Sequence, residues 1–210
     1  MTDEVREMLK AAHSLDGGKD ANNELYRRWA TTYDDHLLSD GYVGHHMCAL
    51  MVQQIAQTSS PNVLDAGCGT GLVGRELATL VPGARVTGAD LSPDMAESAE
   101  ATGTYVRAVA DVDLNQPLPE SLSDTFEIIV CCGTFSLGHV GTAGLEYIVR
   151  AAPRGGHIIF SVRREHSLEH NFAGAVQALI DSGLAASVSE LYNAPYIANG
   201  GADYWTLSRV

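Results

Sequence analysis

The segment Val63-Leu64-Asp65-Ala66-Gly67-Cys68-Gly69-Thr70-Gly71-Leu72-Val73-Gly74 passes from an apolar run straight into spaced glycines, and few architectures accommodate such a junction. A strand has to end and a helix begin within a few residues. Glycine suits the bend because it adopts positive φ without strain and lets another group approach the backbone N–H groups closely. In open α/β sheets a turn of this kind borders the crevice at the carboxyl ends of the strands, where ligands bind.

The chain around the turn repeats the same alternation. Val73, Leu77 and Leu80 mark a helix, and Arg85–Ala89 reads as a second strand. Ser92-Pro93-Asp94 follows with a cap residue, a proline suited to the first helical position and an acid suited to the positive helix end. Tyr105–Val109 is a third strand, and the almost wholly apolar Phe126–Cys132 is a fourth, of the kind buried on both faces of a parallel sheet. Leu145, Ile148 and Val149 mark a helix before the Pro153–Gly156 turn, and His157–Val162 is a fifth strand. Phe172, Val176, Leu179 and Ile180 form another helix face. Ser187–Tyr192 and Tyr204–Val210 have no helix between them and should pair as an antiparallel hairpin with a long loop. Upstream, Tyr26, Trp29, Ala30 and Tyr33 share one helical face, and Met47, Leu50, Met51 and Ile55 share another. The expected class is therefore α/β: a doubly wound, Rossmann-like, mostly parallel sheet with helices on both faces. Residues 1–21 read as a flexible arm and 22–210 as one domain, with a helical cap over 22–60 and the core over 61–210.

Composition removes several chemistries. With 13 Lys and Arg against 26 Asp and Glu, the net charge is −13, which opposes binding to nucleic acid and to anionic membranes. Lys10 and Lys19 are the only lysines, so neither a Gly-Lys-Ser/Thr phosphate loop nor an internal Schiff-base lysine can be written. Cys48, Cys68, Cys131 and Cys132 contain no C-x-x-C pair. His166 and His170 have the i, i+4 spacing of a metal pair and His45 adjoins His46, yet RREHSLEH reads as a solvated loop and helix start, so no metal is expected. The opening MTDEVREMLK has no signal-peptide pattern, and no run approaches a membrane span, so a cytoplasmic, soluble protein is expected, monomeric by default.

Two cofactor classes fit the glycine turn. Read from Gly69, the string G-x-G-x-x-G with Asp90 nineteen positions after Gly71 matches a dinucleotide fingerprint and an NAD(P)-dependent oxidoreductase. Read from Asp65, the string D-x-G-x-G-x-G resembles the first motif of the class I S-adenosylmethionine-dependent methyltransferases. Asp90-Leu91-Ser92-Pro93-Asp94-Met95, Asp111-Val112, the Cys131-Cys132-Gly133 end of the fourth strand and the Pro153-Arg154-Gly155-Gly156 turn resemble further motifs of that family. Tyr26-x-x-Trp29-Ala30-x-x-Tyr33-Asp34 together with Gly133–Val140 is similar to a narrower group within it, the methyltransferase-like proteins of the Williams-Beuren syndrome critical region.

The resemblance covers residues 22 to the C-terminus and implies a seven-stranded sheet with a reversed last strand. It implies S-adenosyl-L-methionine as cofactor, S-adenosyl-L-homocysteine as product and direct methyl transfer to an acceptor, a small molecule in the first instance and a protein in the second. Cofactor contacts implied are Trp29, Tyr33, Asp65, Gly67, Cys68, Gly69, Gly71, Asp90, Leu91, Met95, Asp111, Val112 and Cys131. Asp90 would take the ribose hydroxyls, Asp65 would lie near the methionine ammonium, and Cys68 would be a small filler. Phe135, His139 and Tyr196 are candidate acceptor contacts, with His139 a candidate general base. A catalytically silent S-adenosylmethionine-binding protein is the remaining alternative.

Overall fold

The computed structural model describes residues 33–135 and 140–210. The arm, Tyr26, Trp29 and Ala30, and the stretch from Ser136 to His139 lie outside the described residues. The described elements run α1 (Tyr33–Ser39), α2 (Gly44–Ile55), β1 (Asn62–Ala66), α3 (Leu72–Leu80), β2 (Arg85–Ala89), α4 (Pro93–Ala101) and β3 (Tyr105–Val109). They continue through β4 (Ile128–Phe135), α5 (Thr142–Ala151), β5 (His157–Arg163), α6 (Arg164–Glu169), α7 (Phe172–Asp181), β6 (Ala185–Ile197) and β7 (Gly200–Arg209). The strands form one sheet in the order β3-β2-β1-β4-β5-β7-β6. β1 pairs in parallel with β2 on one side and β4 on the other, so the strand order reverses beside it.

Side-chain alternation along the strands divides the core between the two faces of the sheet. Leu64, Ile129, Cys131, Ile158, Phe160 and Trp205 pack with α5 and α7. Val63, Ile128, Val130, Ile159 and Tyr204 pack with α2 and α3. Central strands buried on both faces account for the unbroken apolar runs in β4 and β5. Phe160 stacks on Trp205 at 5.1 Å and meets Phe135 edge-on at 5.4 Å, which fills the centre of the first face.

Two expectations change. The buried face of α2 is Gly44, His45, Cys48, Ala49, Met51 and Val52, whereas Leu50 is exposed. Small residues and a histidine form this face because Gly44 threads between two tyrosines: a Cβ there would lie 2.7 Å from Tyr196 and 2.8 Å from Tyr42. The terminal hairpin is also longer than the apolar runs suggest. Tyr192–Ala202, expected as a loop, belongs almost wholly to β6 and β7, with register shifts that take up the extra residues. Asn193 sits at one of these shifts with φ +50, a conformation asparagine tolerates better than most residues.

A single carboxylate ties the reversed strand to the rest. Asp203 on β7 is buried and accepts from Arg164 Nη1 at 2.9 and 2.8 Å, from Ser167 Oγ at 2.5 Å and from the Asn193 N–H at 2.9 Å. Its four bonds join β7, α6 and the bulge of β6. Replacing Asp203 with Ala leaves Arg164 and two further donors without their acceptor. The expected loss is about 3 kcal/mol, the low end for breaking a buried ion pair, because Arg164 keeps 32% of its side-chain surface in solvent. A thermal melt should show a midpoint lowered by roughly 6 to 12 °C for a chain of this size.

Candidate functional site

At the carboxyl end of β1 the chain turns through Gly67, Gly69 and Gly71, all at positive φ. The Gly67 and Cys68 N–H groups donate to Ala89 O at 2.7 and 3.1 Å, which fastens the turn to the end of β2. A Cβ on Gly69 would meet nothing within 4 Å, so the backbone there borders open space. Its N–H donates to Asp90 Oδ2 at 2.9 Å, while the Ser92 N–H donates to Asp90 Oδ1 at the same distance. Asp90 is thereby fixed between the turn and the start of α4, where Ser92 caps the helix and Pro93 opens it. The same edge brings up Leu91, half-buried, and Met95, buried. Asp111 is exposed at φ +60, and the Val112 N–H donates to Asp90 O at 3.0 Å.

Beneath the turn lies Asp65, with no exposed surface. Tyr105, the first residue of β3, donates its hydroxyl proton to Asp65 Oδ2 at 2.6 Å and accepts from the Gly74 N–H at 3.0 Å. This explains the third glycine of the fingerprint, since a Cβ on Gly74 would lie 2.3 Å from the Tyr105 ring. Asp65 Oδ1 accepts no hydrogen bond among the described residues. Burial pushes the Asp65 carboxyl up to about 7, against the opposing pull of the Tyr105 hydroxyl. Burial also raises Asp90, partly offset by its backbone donors. Cys68 is buried, and its thiol is pushed far up by burial and by the Asp65 and Asp90 charges, so it is a packed thiol and no nucleophile.

Three residues absent from the expected set complete the edge. Asp34 on α1 accepts from the Thr70 hydroxyl inside the turn and from Arg75 Nη1 at 2.8 Å, which anchors the helix carrying Tyr33. Tyr42 places its hydroxyl 3.1 Å from Cys132 Sγ, and its ring meets Tyr196 edge-on at 5.0 Å. Both hydroxyls converge on Gly133 at the end of β4, 3.3 and 3.2 Å from where its Cβ would be. Tyr105 is the third. Tyr196 therefore joins the β4 end, as does Cys132, whereas Cys131 points into the core with no exposed surface. Phe135 is likewise fully buried, between Phe160 and Phe172, and this placement gives it a packing role and not the acceptor contact expected of it. Trp29 and His139 lie outside the described residues.

The glycine turn, the two carboxylates and the strand order together define a Rossmann-like cofactor crevice at a topological switch point. Comparison with known proteins states its class. A methyltransferase-domain family model matches residues 64–158. Methyltransferase-like protein 27 of Homo sapiens is 31% identical over 183 residues, which are 85% of this chain and 71% of that protein. A TehB-like SAM-dependent methyltransferase from Corynebacterium glutamicum shares the fold with a TM-score of 0.65 at 19% identity, over 88% of this chain and 98% of that one. Magnesium protoporphyrin IX methyltransferase from Synechocystis, solved with bound SAH, aligns with a TM-score of 0.57 at 18% identity, over 80% of this chain and 84% of that one. The chain belongs to the class I S-adenosylmethionine-dependent methyltransferases, and S-adenosylmethionine is its cofactor. This resolves the two readings of the glycine turn against the oxidoreductase. The residues fit the group: among the described residues Gly69 has open space above the turn, and the buried Asp65 keeps an oxygen without a donor.

The raised Asp65 carboxyl has a pH signature. Its folded value of about 7 lies above the roughly 3.9 of an unfolded chain. Between those values the folded state holds a proton that the unfolded state has lost, so this group makes stability fall as pH rises through the window. Asp65→Asn removes that dependence. Urea midpoints of the cofactor-free proteins should show the variant gaining on wild type from about pH 4 to about pH 7. Parallel curves would mean that Asp65 titrates normally.

Proposed function

We propose that this chain transfers a methyl group from S-adenosylmethionine to a small-molecule acceptor held beside the β4 end, where the Tyr42–Tyr196 pair meets it. The convergence of both tyrosine hydroxyls on Gly133 supports this most directly: each tyrosine is only 8% exposed, so the pair offers a compact polar contact at the strand end and no extended surface for a polymer. The net charge of −13 also opposes a nucleic acid acceptor.

In this reading Gly67, Cys68, Gly69 and Gly71 present backbone to the cofactor, and Asp65 attracts the methionine ammonium. Asp90 grips the ribose hydroxyls. Its two oxygens already accept two N–H groups, but an ionised carboxylate offers about four acceptor sites, so both hydroxyls can be added. Leu91 and Met95 border the adenine, Asp111 and Val112 meet its edge, and Cys131 contributes main chain only. Trp29 and Tyr33 would contact the methionine end, and Asp34, next to Tyr33, is held to the turn.

The cofactor supplies a methyl group made electrophilic by its sulfonium. What the chain must add is alignment of the acceptor and exclusion of water, and positioning alone contributes on the order of 7 to 11 kcal/mol when the geometry is near attack. His139 is the imidazole that accepts the proton from an oxygen or nitrogen nucleophile. Phe135 acts at one remove by fixing the strand end from which that segment departs.

Thermal shifts with S-adenosylmethionine, S-adenosylhomocysteine, NAD and NADP test the cofactor half. At about 100 times Kd a ligand adds about 2.7 kcal/mol, a rise of roughly 5 to 11 °C, expected for the two adenosyl compounds alone. Asp90→Ala should lose most of the rise. Incubation with methyl-labelled cofactor and a fractionated cell extract tests the acceptor half. Label in the low-mass fraction is expected; label confined to protein would replace the acceptor class, and binding with no transfer at all would leave a catalytically silent binding protein.

A further inference from the structure

The helix that follows β5 gathers a donor set that methyl transfer does not use. In α6 and its C-terminal cap, His166, Glu169 and His170 stand at i, i+3 and i+4, and so share one face of the turn. One ligand atom from each lies within 4.8 Å of the other two. The two imidazole rings are 4.2 Å apart, and His170 Nε2 is 4.0 Å from Glu169 Oε2. We propose that His166, Glu169 and His170 form a binding site for a divalent transition metal of the zinc class. This inference is independent of the acceptor reading, and it reverses the expectation that RREHSLEH is metal-free.

The donor chemistry selects the ion. Two imidazole nitrogens and one carboxylate oxygen suit Zn(II), Co(II), Ni(II) or Cu(II), whereas Mg(II) and Ca(II) prefer shells of oxygen. Metal–ligand bonds of about 2.0 to 2.2 Å in a tetrahedron place donors roughly 3.4 Å apart, so a site with a 4.8 Å limit closes by small side-chain rotations. Three protein ligands leave the fourth position to water.

The surroundings are built to hold the first ligand still and leave the others reachable. His166 is buried, with its ring 5.5 Å from that of Phe172. One residue further on, Ser167 donates to Asp203, and Arg164 donates to both oxygens of the same carboxylate. Asp203 thus fixes the backbone of α6 and pairs with Arg164, the guanidinium at the start of that helix. Glu169 and His170 keep 65% and 47% of their side-chain surface in solvent, so an ion can enter. A metal here would pin the last turn of α6 and its cap beside the start of α7, since Phe172 follows His170 by two residues and packs at 5.4 Å on Phe135 at the end of β4. Occupancy is therefore expected to stiffen the corner next to the crevice without entering it.

The test uses the full chain, free of any histidine tag and dialysed against a chelator, titrated with Co(II) and followed by visible absorption. Saturation at one equivalent is expected, with the intense band of four-coordinate cobalt, displaced by Zn(II). His170→Ala and Glu169→Gln, both exposed positions, should weaken uptake beyond the roughly 10- to 100-fold cost of losing a group that only orients a ligand. His166→Ala should abolish uptake, and a retained thermal shift with S-adenosylhomocysteine would verify that each variant is folded. His46→Ala controls for the other histidine cluster, where His46 Nδ1 lies 3.0 Å from Glu76 Oε2, and should leave uptake unchanged. Uptake that survives in His170→Ala but fails in His46→Ala would overturn the proposal, as would the absence of saturable uptake in the wild-type chain.

Discussion

The hydrogen bond from Tyr105 to Asp65 is the contact on which the crevice depends. It is buried, it spans 40 residues of sequence, and it closes a chain of two bonds from the β1 carboxylate to the backbone of α3 at Gly74. A carboxylate without exposed surface is costly to ionise, and the phenol lowers that cost on one oxygen only. Because the Tyr105 ring occupies the space beside α3, a side chain at Gly74 would collide with it, and one at Gly71, already at positive φ, would press on it at 3.0 Å. The spacing of the glycine motif is thus as much a packing requirement beneath the turn as a ligand requirement above it.

The opposite half of the sheet rests on a comparable node. Asp203 collects a guanidinium, a hydroxyl and a backbone N–H, so that β7, α6 and the bulge in β6 meet at one buried charge. Both nodes use an acid near the edge of the sheet where the parallel strands end, but to different ends. Asp203 has its acceptor capacity filled from the chain itself. Among the described residues Asp65 keeps an oxygen without a donor, directly beneath the glycine turn, and in this the two acids differ.

Much of this architecture is legible in sequence because it is written in local periodicity. Arg85–Ala89 and Tyr105–Val109 coincide with their strands, and Leu145, Ile148 and Val149 are the buried face of α5. Asp90 is legible through its spacing from the glycines. Asp34, Tyr42, Tyr105 and Asp203 are not, because each finds its partner 36 to 90 residues away and leaves no local pattern. Phe135 misleads for the opposite reason. Its place after an apolar strand is equally consistent with a pocket wall and a core residue, and only the rings of Phe160 and Phe172 on either side decide it. The face of α2 misleads at one position: Met47, Met51 and Ile55 pack against the core as their spacing suggests, but Leu50 is exposed, and Gly44, His45, Cys48 and Ala49 complete the face beside Tyr42 and Tyr196.

The reversed strand also explains how the segment between α1 and α2 meets the C-terminal hairpin at the crevice. β5 runs parallel to β4 and finishes at the carboxyl edge, where Arg163 pairs with Ala202. Since β7 is antiparallel to both β5 and β6, the tight turn between β6 and β7 falls at that same edge. A parallel seventh strand would instead require a crossover and would leave no hairpin turn there. From this turn Ala198 donates to Asp40 O at 3.1 Å, and Tyr196 O accepts from the Val43 N–H at 2.8 Å. These bonds lock the segment between α1 and α2 onto the hairpin and set Tyr42 against Tyr196. The orientation of α1 over the glycine turn is consequently shared between Asp34 at one end and the C-terminal hairpin at the other. A change in the hairpin is transmitted to the cofactor side through backbone hydrogen bonds, without any contact between the hairpin and the glycine turn being required.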